Sequence, residues 1–362
     1  MERKRIGEID SLRSLVLLGI LIVHCIGMFG FSTNVYEMSN TSDFIVRIVS
    51  MVLVGKCAPI FSMMFGVSFF IIMSKPNYSP MKFFWRCIIL IIIGIFVKKI
   101  YTYDALMWYG ICGVGLLCFR NKNTKFILLS TIFLFIATRI LNHVDLGTII
   151  FGDAMKERYF SSASIKDVVS YPLYLSIVDY LRIAFNSGIF GTFVYFLLGY
   201  LFAKTGLMKN IKKIQDKNLL AILIVMYVFF YIIFIISVKM LKISVLSSFV
   251  KLIGAITYVS FFLFIINIIN KYKFLKIGLE SYGKMGLTNY IVFDMIGVIF
   301  IINIAIPFKL EMLEILLIGF SFFIFQIFFS TIWMKYFKNG PFEYIWRSLV
   351  NLKFSNPLIN EK

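Results

Sequence analysis

Apolar residues run along this chain in blocks near twenty residues long, separated by short polar and basic connections. Each block is long enough to cross the roughly 30 Å hydrocarbon core of a bilayer as a helix. The pattern predicts about ten spans, near residues 12–31, 48–73, 83–101, 104–119, 126–142, 184–203, 218–238, 248–270, 285–307 and 312–334. The expected fold is all-α: a polytopic transmembrane helical bundle forming a single integral-membrane domain over residues 1–362. The thinnest division lies between the third and fourth blocks, at Tyr101-Thr102-Tyr103-Asp104. One connection is long, residues 142–182, and carries KDVVSYPLYLSIVDYL with three tyrosines and a proline. Tyrosine favours the membrane–water boundary, so an interfacial helix or re-entrant element is expected there.

Composition sharpens this picture. The chain is 60% hydrophobic, and its mean hydropathy is +0.89. That leaves no room for a sizeable soluble domain. A net charge of +19 would suit a nucleic-acid binder, but the Lys and Arg residues fall in patches between apolar blocks, such as Arg3-Lys4-Arg5, Arg120–Lys125, Lys204–Lys217 and Lys271–Lys284. These occupy alternate connections, as the positive-inside rule requires. The basic excess therefore orients the protein and attracts anionic lipid; no nucleic-acid partner is expected. Both termini are read as cytoplasmic in a multi-pass protein of the cell membrane. The basic start and first apolar block resemble a signal peptide, but the block is too long and lacks a small-residue cleavage site, so an uncleaved span is expected. The five cysteines lie in or near apolar blocks and form no C-x-x-C pair. They read as small buried hydrophobes, with neither a disulfide framework nor a metal site.

Candidate chemistry rests on ionisable residues at membrane depth, which are costly and therefore informative. Arg13 and His24 share the first span. Eleven steps of about 100° bring them to one helix face, about 16 Å apart along the axis. Arg13 falls at the cytoplasmic edge, where a guanidinium suits phosphate, and Asp10 is placed to pair with it. His24 lies within the membrane, where an imidazole can take a proton from a hydroxyl. The alternative for this pair is an orienting arginine and a structural histidine. Lys56, in the second span beside Pro59, either snorkels to the external surface or binds an anion in a polar cavity. Asp294, about ten residues into the ninth span, is either polar glue between helices or a pocket residue, with Asn289 nearer the cytoplasmic end of the same span. Arg86 starts the third span and either joins Arg13 at a phosphate site or serves orientation alone. Asp104 either caps the fourth helix or contacts substrate.

Several segments occur in an order that resembles a known family: FSMMFGVSFF, Trp85-Arg86, DALMWYGICGVGLL, FLLGYLFAKTGLMK, YGKMGLTNYIVF and KNGPFEYIWRSL. The order is similar to that of the YeiB-like family of bacterial inner-membrane proteins, a domain of unknown function. The resemblance spans nearly the whole chain and is most specific at Gly283–Tyr290 and Gly340–Leu349. It further implies kinship with the transmembrane acyltransferase superfamily, whose first span places a histidine ten residues beyond an arginine, as Arg13 and His24 stand here. That superfamily's arginine pair on the third span is represented only by Arg86. The resemblance implies an acyl group moved from cytosolic acyl-CoA, a donor substrate rather than a bound cofactor, to an envelope or lipid-linked acceptor. Two other classes stay open: a transporter or efflux component using Asp294 and Lys56, and a non-enzymatic membrane partner acting through residues 142–182.

Overall fold

The computed structural model describes residues 7–33, 39–101, 104–141, 189–207, 214–241, 247–352 and 358. The expected long connection at 142–182 lies outside the described residues. Thirteen α-helices are described: α1 (Gly7–Thr33), α2 (Asn40–Leu53), α3 (Cys57–Met73), α4 (Pro80–Lys98), α5 (Leu106–Leu116), α6 (Thr124–Leu141), α7 (Ile189–Lys204), α8 (Lys217–Leu241), α9 (Ser247–Ile269), α10 (Lys273–Lys284), α11 (Gly286–Phe300), α12 (Met312–Tyr336) and α13 (Pro341–Asn351). No strand pairs into a sheet among the described residues; one isolated bridge joins Phe337 and Leu358. The fold is all-α, with seven helical stretches long and apolar enough to cross a membrane. Three shorter apolar helices, Leu106–Phe119, Thr124–Thr138 and Ile189–Lys204, match the remaining expected blocks.

Local sequence explains where these helices begin and end. Ser39 caps α2 by accepting the Ser42 N–H at 3.1 Å. Ser79 caps α4 by accepting the Met81 N–H at 3.2 Å, with Pro80 in the first helical position. Serine oxygens satisfy amides that lack an intrahelical partner, and proline there loses no hydrogen bond. The second apolar block departs from the expected single span. It breaks into α2 and α3 at Gly55, whose φ of +75° a side chain would resist. The ninth block ends in a π-helical turn, Ile301–Ala305. Two further helices, α10 and α13, were not expected from the hydrophobic blocks.

The core forms around α1, which buries Leu12, Val16, Leu17, Ile20, Leu21, Cys25 and Met28. It packs against α2, α3, α9, α10, α11 and α12. Helices α3 and α7 approach each other closely. A Cβ on Gly66 would lie 2.0 Å from the Phe196 carbonyl oxygen, and one on Gly199 would lie 1.8 Å from the Met63 carbonyl oxygen. Small residues let two backbones meet where lipid provides little hydrophobic drive. By contrast, α8 packs against α9 and turns Ile222, Val225, Phe229 and Ile232 outward. In a bilayer that surface faces hydrocarbon. Four of the five cysteines are buried and unpaired, and Cys118 is exposed.

Candidate functional site

Two helices distant in sequence bring the central pair together. His24 on α1 and Asp294 on α11 meet with Nδ1 and Oδ1 2.6 Å apart. Asp294 is fully buried and His24 is 9% exposed. Tyr101 and Tyr290 flank the imidazole, with ring centroids 4.9 and 5.6 Å away. With Asp294 as a carboxylate, the proton lies on Nδ1 and Nε2 is left as the acceptor. An imidazole so fixed in tautomer and orientation is suited to general-base work.

Asp104 stands close by, also fully buried. One of its oxygens caps α5 by accepting the Leu106 N–H at 3.0 Å. Asp104 Oδ1 and Asp294 Oδ2 have no hydrogen-bond partner among the described residues. Buried carboxylate oxygens of this kind are uncommon in folded proteins and mark a place where another group is wanted. Lys98 approaches the same region from the end of α4. It is 1% exposed, and its Nζ sits 4.6 Å over the Trp108 ring.

A cavity of about 730 Å³ leads toward this cluster from the opposite end of the bundle. Arg13, Lys75, Arg86, Lys204, Lys284 and Arg347 line it at that end. Lys75 and Arg347 are exposed there, whereas Leu106, Tyr109 and Tyr290 at the far end are buried. Phe61, Phe65, Phe69 and Leu90 form apolar wall between the two. Its two carboxylates are already engaged. Asp10 pairs with Arg13 at 3.1 Å, and Glu343 accepts the Leu287 and Thr288 N–H groups at 2.7 and 3.2 Å. The mouth therefore offers a positive surface to an anion. The Arg86 guanidinium lies 4.2 Å over the Trp346 ring, and the Trp346 indole N–H donates to the Arg86 carbonyl at 3.0 Å. This fixes α13 across the start of α4.

The candidate residues thus separate. Arg13 and Arg86 line the cavity; His24, Asp294 and Asp104 adjoin its deep end through Tyr290, which belongs to both regions. His24 itself does not line the cavity. Lys56 lies elsewhere: it is 6% exposed, and its ammonium donates to the Met51 carbonyl at 2.5 Å. It neither snorkels nor lines this cavity; it satisfies the C-terminal end of α2, where carbonyls lack partners. Asn289 also sits away from the cavity. Its amide donates to the Tyr282 carbonyl at 3.1 Å and the Ser330 hydroxyl at 3.0 Å, and its own carbonyl accepts from Gln326 at 2.9 Å. That network ties α10, α11 and α12 together. Tyr290, Lys98, Trp346 and Glu343 were missed as site residues. Tyr290 lies one helical turn before Asp294, a spacing that places it on the same side; Lys98 falls within the expected 83–101 span and carried the signal of a charge in an apolar block, whereas Trp346 and Glu343 carried none.

Comparison with known proteins gives a consistent picture. Residues 202–353 match the family described as "Protein of unknown function (DUF418)". Along 99% of its length the chain is 25% identical to the "Uncharacterized 39.9 kDa protein in amylase 3'region" of Bacillus acidopullulyticus, covering 97% of that protein. It is 31% identical to "Uncharacterized protein YeiB" of Escherichia coli (strain K12) over 87 residues, 24% of this chain and 22% of that one. No solved structure matches the chain. The matches support the YeiB-like resemblance, a domain of unknown function.

Proposed function

We propose that this protein is an integral-membrane acyltransferase that takes an acyl group from cytosolic acyl-CoA and passes it to an envelope or lipid-linked acceptor. The observation that carries the reading is the buried His24–Asp294 pair behind the deep end of a cavity whose mouth is basic. The phosphates of the donor fit beside Arg13 and Arg86, where guanidinium groups bind oxyanions well. The aromatic walls suit the thioester arm. Placing this basic end in the cytoplasm agrees with the positive-inside rule. It gives a cell-membrane protein of about ten spans with both termini cytoplasmic.

In this reading His24 Nε2 accepts the proton of an acceptor hydroxyl as the oxygen attacks the thioester carbonyl. The carbon–sulfur bond then breaks, and the imidazolium returns that proton to the departing thiolate. Ester and free thiol are the products, with no net change in protons. Asp294 stabilises the imidazolium and holds the ring. Tyr290 stands at the cavity's end and beside the imidazole, so it bounds the donor's approach to His24.

The test is release of free thiol from acyl-CoA by the purified protein in lipid nanodiscs, with a crude envelope extract as acceptor. Wild type should release thiol, whereas His24→Ala and Asp294→Asn should not. A His24→Ala protein turning over at the wild-type rate removes the proposal. A second reading, a transporter, is favoured by one observation: the second apolar block is discontinuous at Gly55. It predicts that Asp294→Asn abolishes pH-dependent flux in vesicles while acyl-CoA binding is unaffected.

A further inference from the structure

Helix α10 sits between two spans, after α9 ends at Ile269 and before α11 starts at Gly286. It therefore lies at the bilayer boundary. At about 100° per residue, Lys273, Lys276, Glu280 and Lys284 fall on one face and Phe274, Leu275, Gly278, Leu279 and Tyr282 on the other. The apolar face is used in two ways. Its second half is buried, Leu279 at 7% and Tyr282 at 2%, and packs against α1 and α12. Its first half is bare: Phe274 is 74% exposed and Leu275 48%. Lys271 and Tyr272 precede it and are also exposed. The neighbouring spans α9 and α12 present apolar side chains of their own, Ile268 and Phe328.

We infer that α10 is an interfacial helix that binds anionic phospholipid of the surrounding leaflet. Phe274 and Leu275 enter the acyl-chain boundary, continuing the apolar surfaces of α9 and α12. Lys271, Lys273 and Lys276 hold phosphate-bearing headgroups. Glu280, 4.0 Å from Lys276, offsets only part of that charge. The exposed apolar residues adjoin the apolar surfaces of two spans, and a lipid monolayer covers them and meets the lysines at once. The hold reaches the cavity. Arg13 donates to the Gly283 carbonyl at 3.1 Å, Ser14 donates to the Leu279 carbonyl, and Lys284 lines the mouth.

The experiment uses the full chain in neutral detergent, titrated with phosphatidylglycerol or phosphatidylcholine, with retained lipid counted by native mass spectrometry. Each lysine near a charged headgroup contributes about fivefold, so changing Lys271, Lys273 and Lys276 to Gln should weaken retention of phosphatidylglycerol roughly 100-fold. All three lysines are exposed, so melting in phosphatidylcholine should match wild type. Equal retention by the triple variant, or equal retention of both lipids by wild type, overturns the inference. So does displacement of the lipid by glycerol 3-phosphate at the same concentration, which would point to a free-anion site. Independently, a fluorophore on Phe274→Cys, in a Cys118→Ser background, should be quenched by bromine on lipid tails. Quenching by aqueous iodide alone overturns the placement. None of these readouts requires acyl transfer, so they stand or fall apart from that activity.

Discussion

Replacing His24 by alanine leaves Asp294 as a carboxylate with no exposure and without its 2.6 Å partner. Removing the hydrogen-bond partner of a buried charge costs about 3–5 kcal/mol, because that charge stays desolvated. Asp294→Asn is gentler. The amide keeps the volume, its oxygen still accepts from Nδ1, and His24 can remain neutral, so the loss is about 1–2 kcal/mol. The two changes should therefore not add. The double variant, with no buried charge, should be more stable than His24→Ala alone by about 2 kcal/mol, within the usual range for coupled neighbours. Graded unfolding in mixed detergent micelles, followed by helical circular dichroism, measures all four proteins. Thiol release from acyl-CoA, measured in parallel, should be lost in every variant. If the double variant unfolds no later than His24→Ala, Asp294 is not held as a charge by His24, and the electrostatic account of the site is wrong.

Arg86→Ala should weaken coenzyme A binding roughly 10–100-fold, the worth of a charge-assisted hydrogen bond, as read by calorimetry in nanodiscs. Gly199→Ala should cost about 2–3 kcal/mol through overpacking, because its Cβ would stand 1.8 Å from the Met63 carbonyl oxygen; unfolding in micelles checks this, and an unchanged midpoint would refute the close approach. Hydrogen bonds from Ser42 and Ser39 hold the Glu311 carboxyl below its usual range. The stability it contributes is present above that range and lost as pH falls through the lowered value. Glu311→Gln should accordingly lower the melting temperature at neutral pH and have little effect below the lowered value, which flattens the acid limb of the profile.

The hydrophobic blocks were legible because lipid forces every backbone group into a helix and leaves long apolar runs. The split of the second block was not, since Gly55 is one of many glycines and its positive φ is visible only in three dimensions. Helices α10 and α13 escaped notice because an interfacial helix carries a face rather than a run of apolar residues. For the site, depth in the membrane singled out His24 and Asp294 individually. Their meeting, 270 residues apart in sequence, depends on how α11 packs against α1, which no local pattern encodes. Lys56 shows the converse. Its charge is buried, and the Met51 carbonyl near the end of α2 gives its ammonium a partner without a ligand.

Glu343 gives the chain a timing problem. The amides that begin α11 find their acceptor in a residue 56 positions later. At 5–20 residues per second, a ribosome supplies that carboxylate about 3–11 seconds after those amides emerge. Until then the helix bearing Tyr290 and Asp294 enters the bilayer with its leading end unsealed. A chain terminated before Pro341 would keep all its long apolar helices and still lack the seal. Nascent-chain crosslinking would show the ninth block inserted yet unsettled, so α13 acts as a closing step of biogenesis.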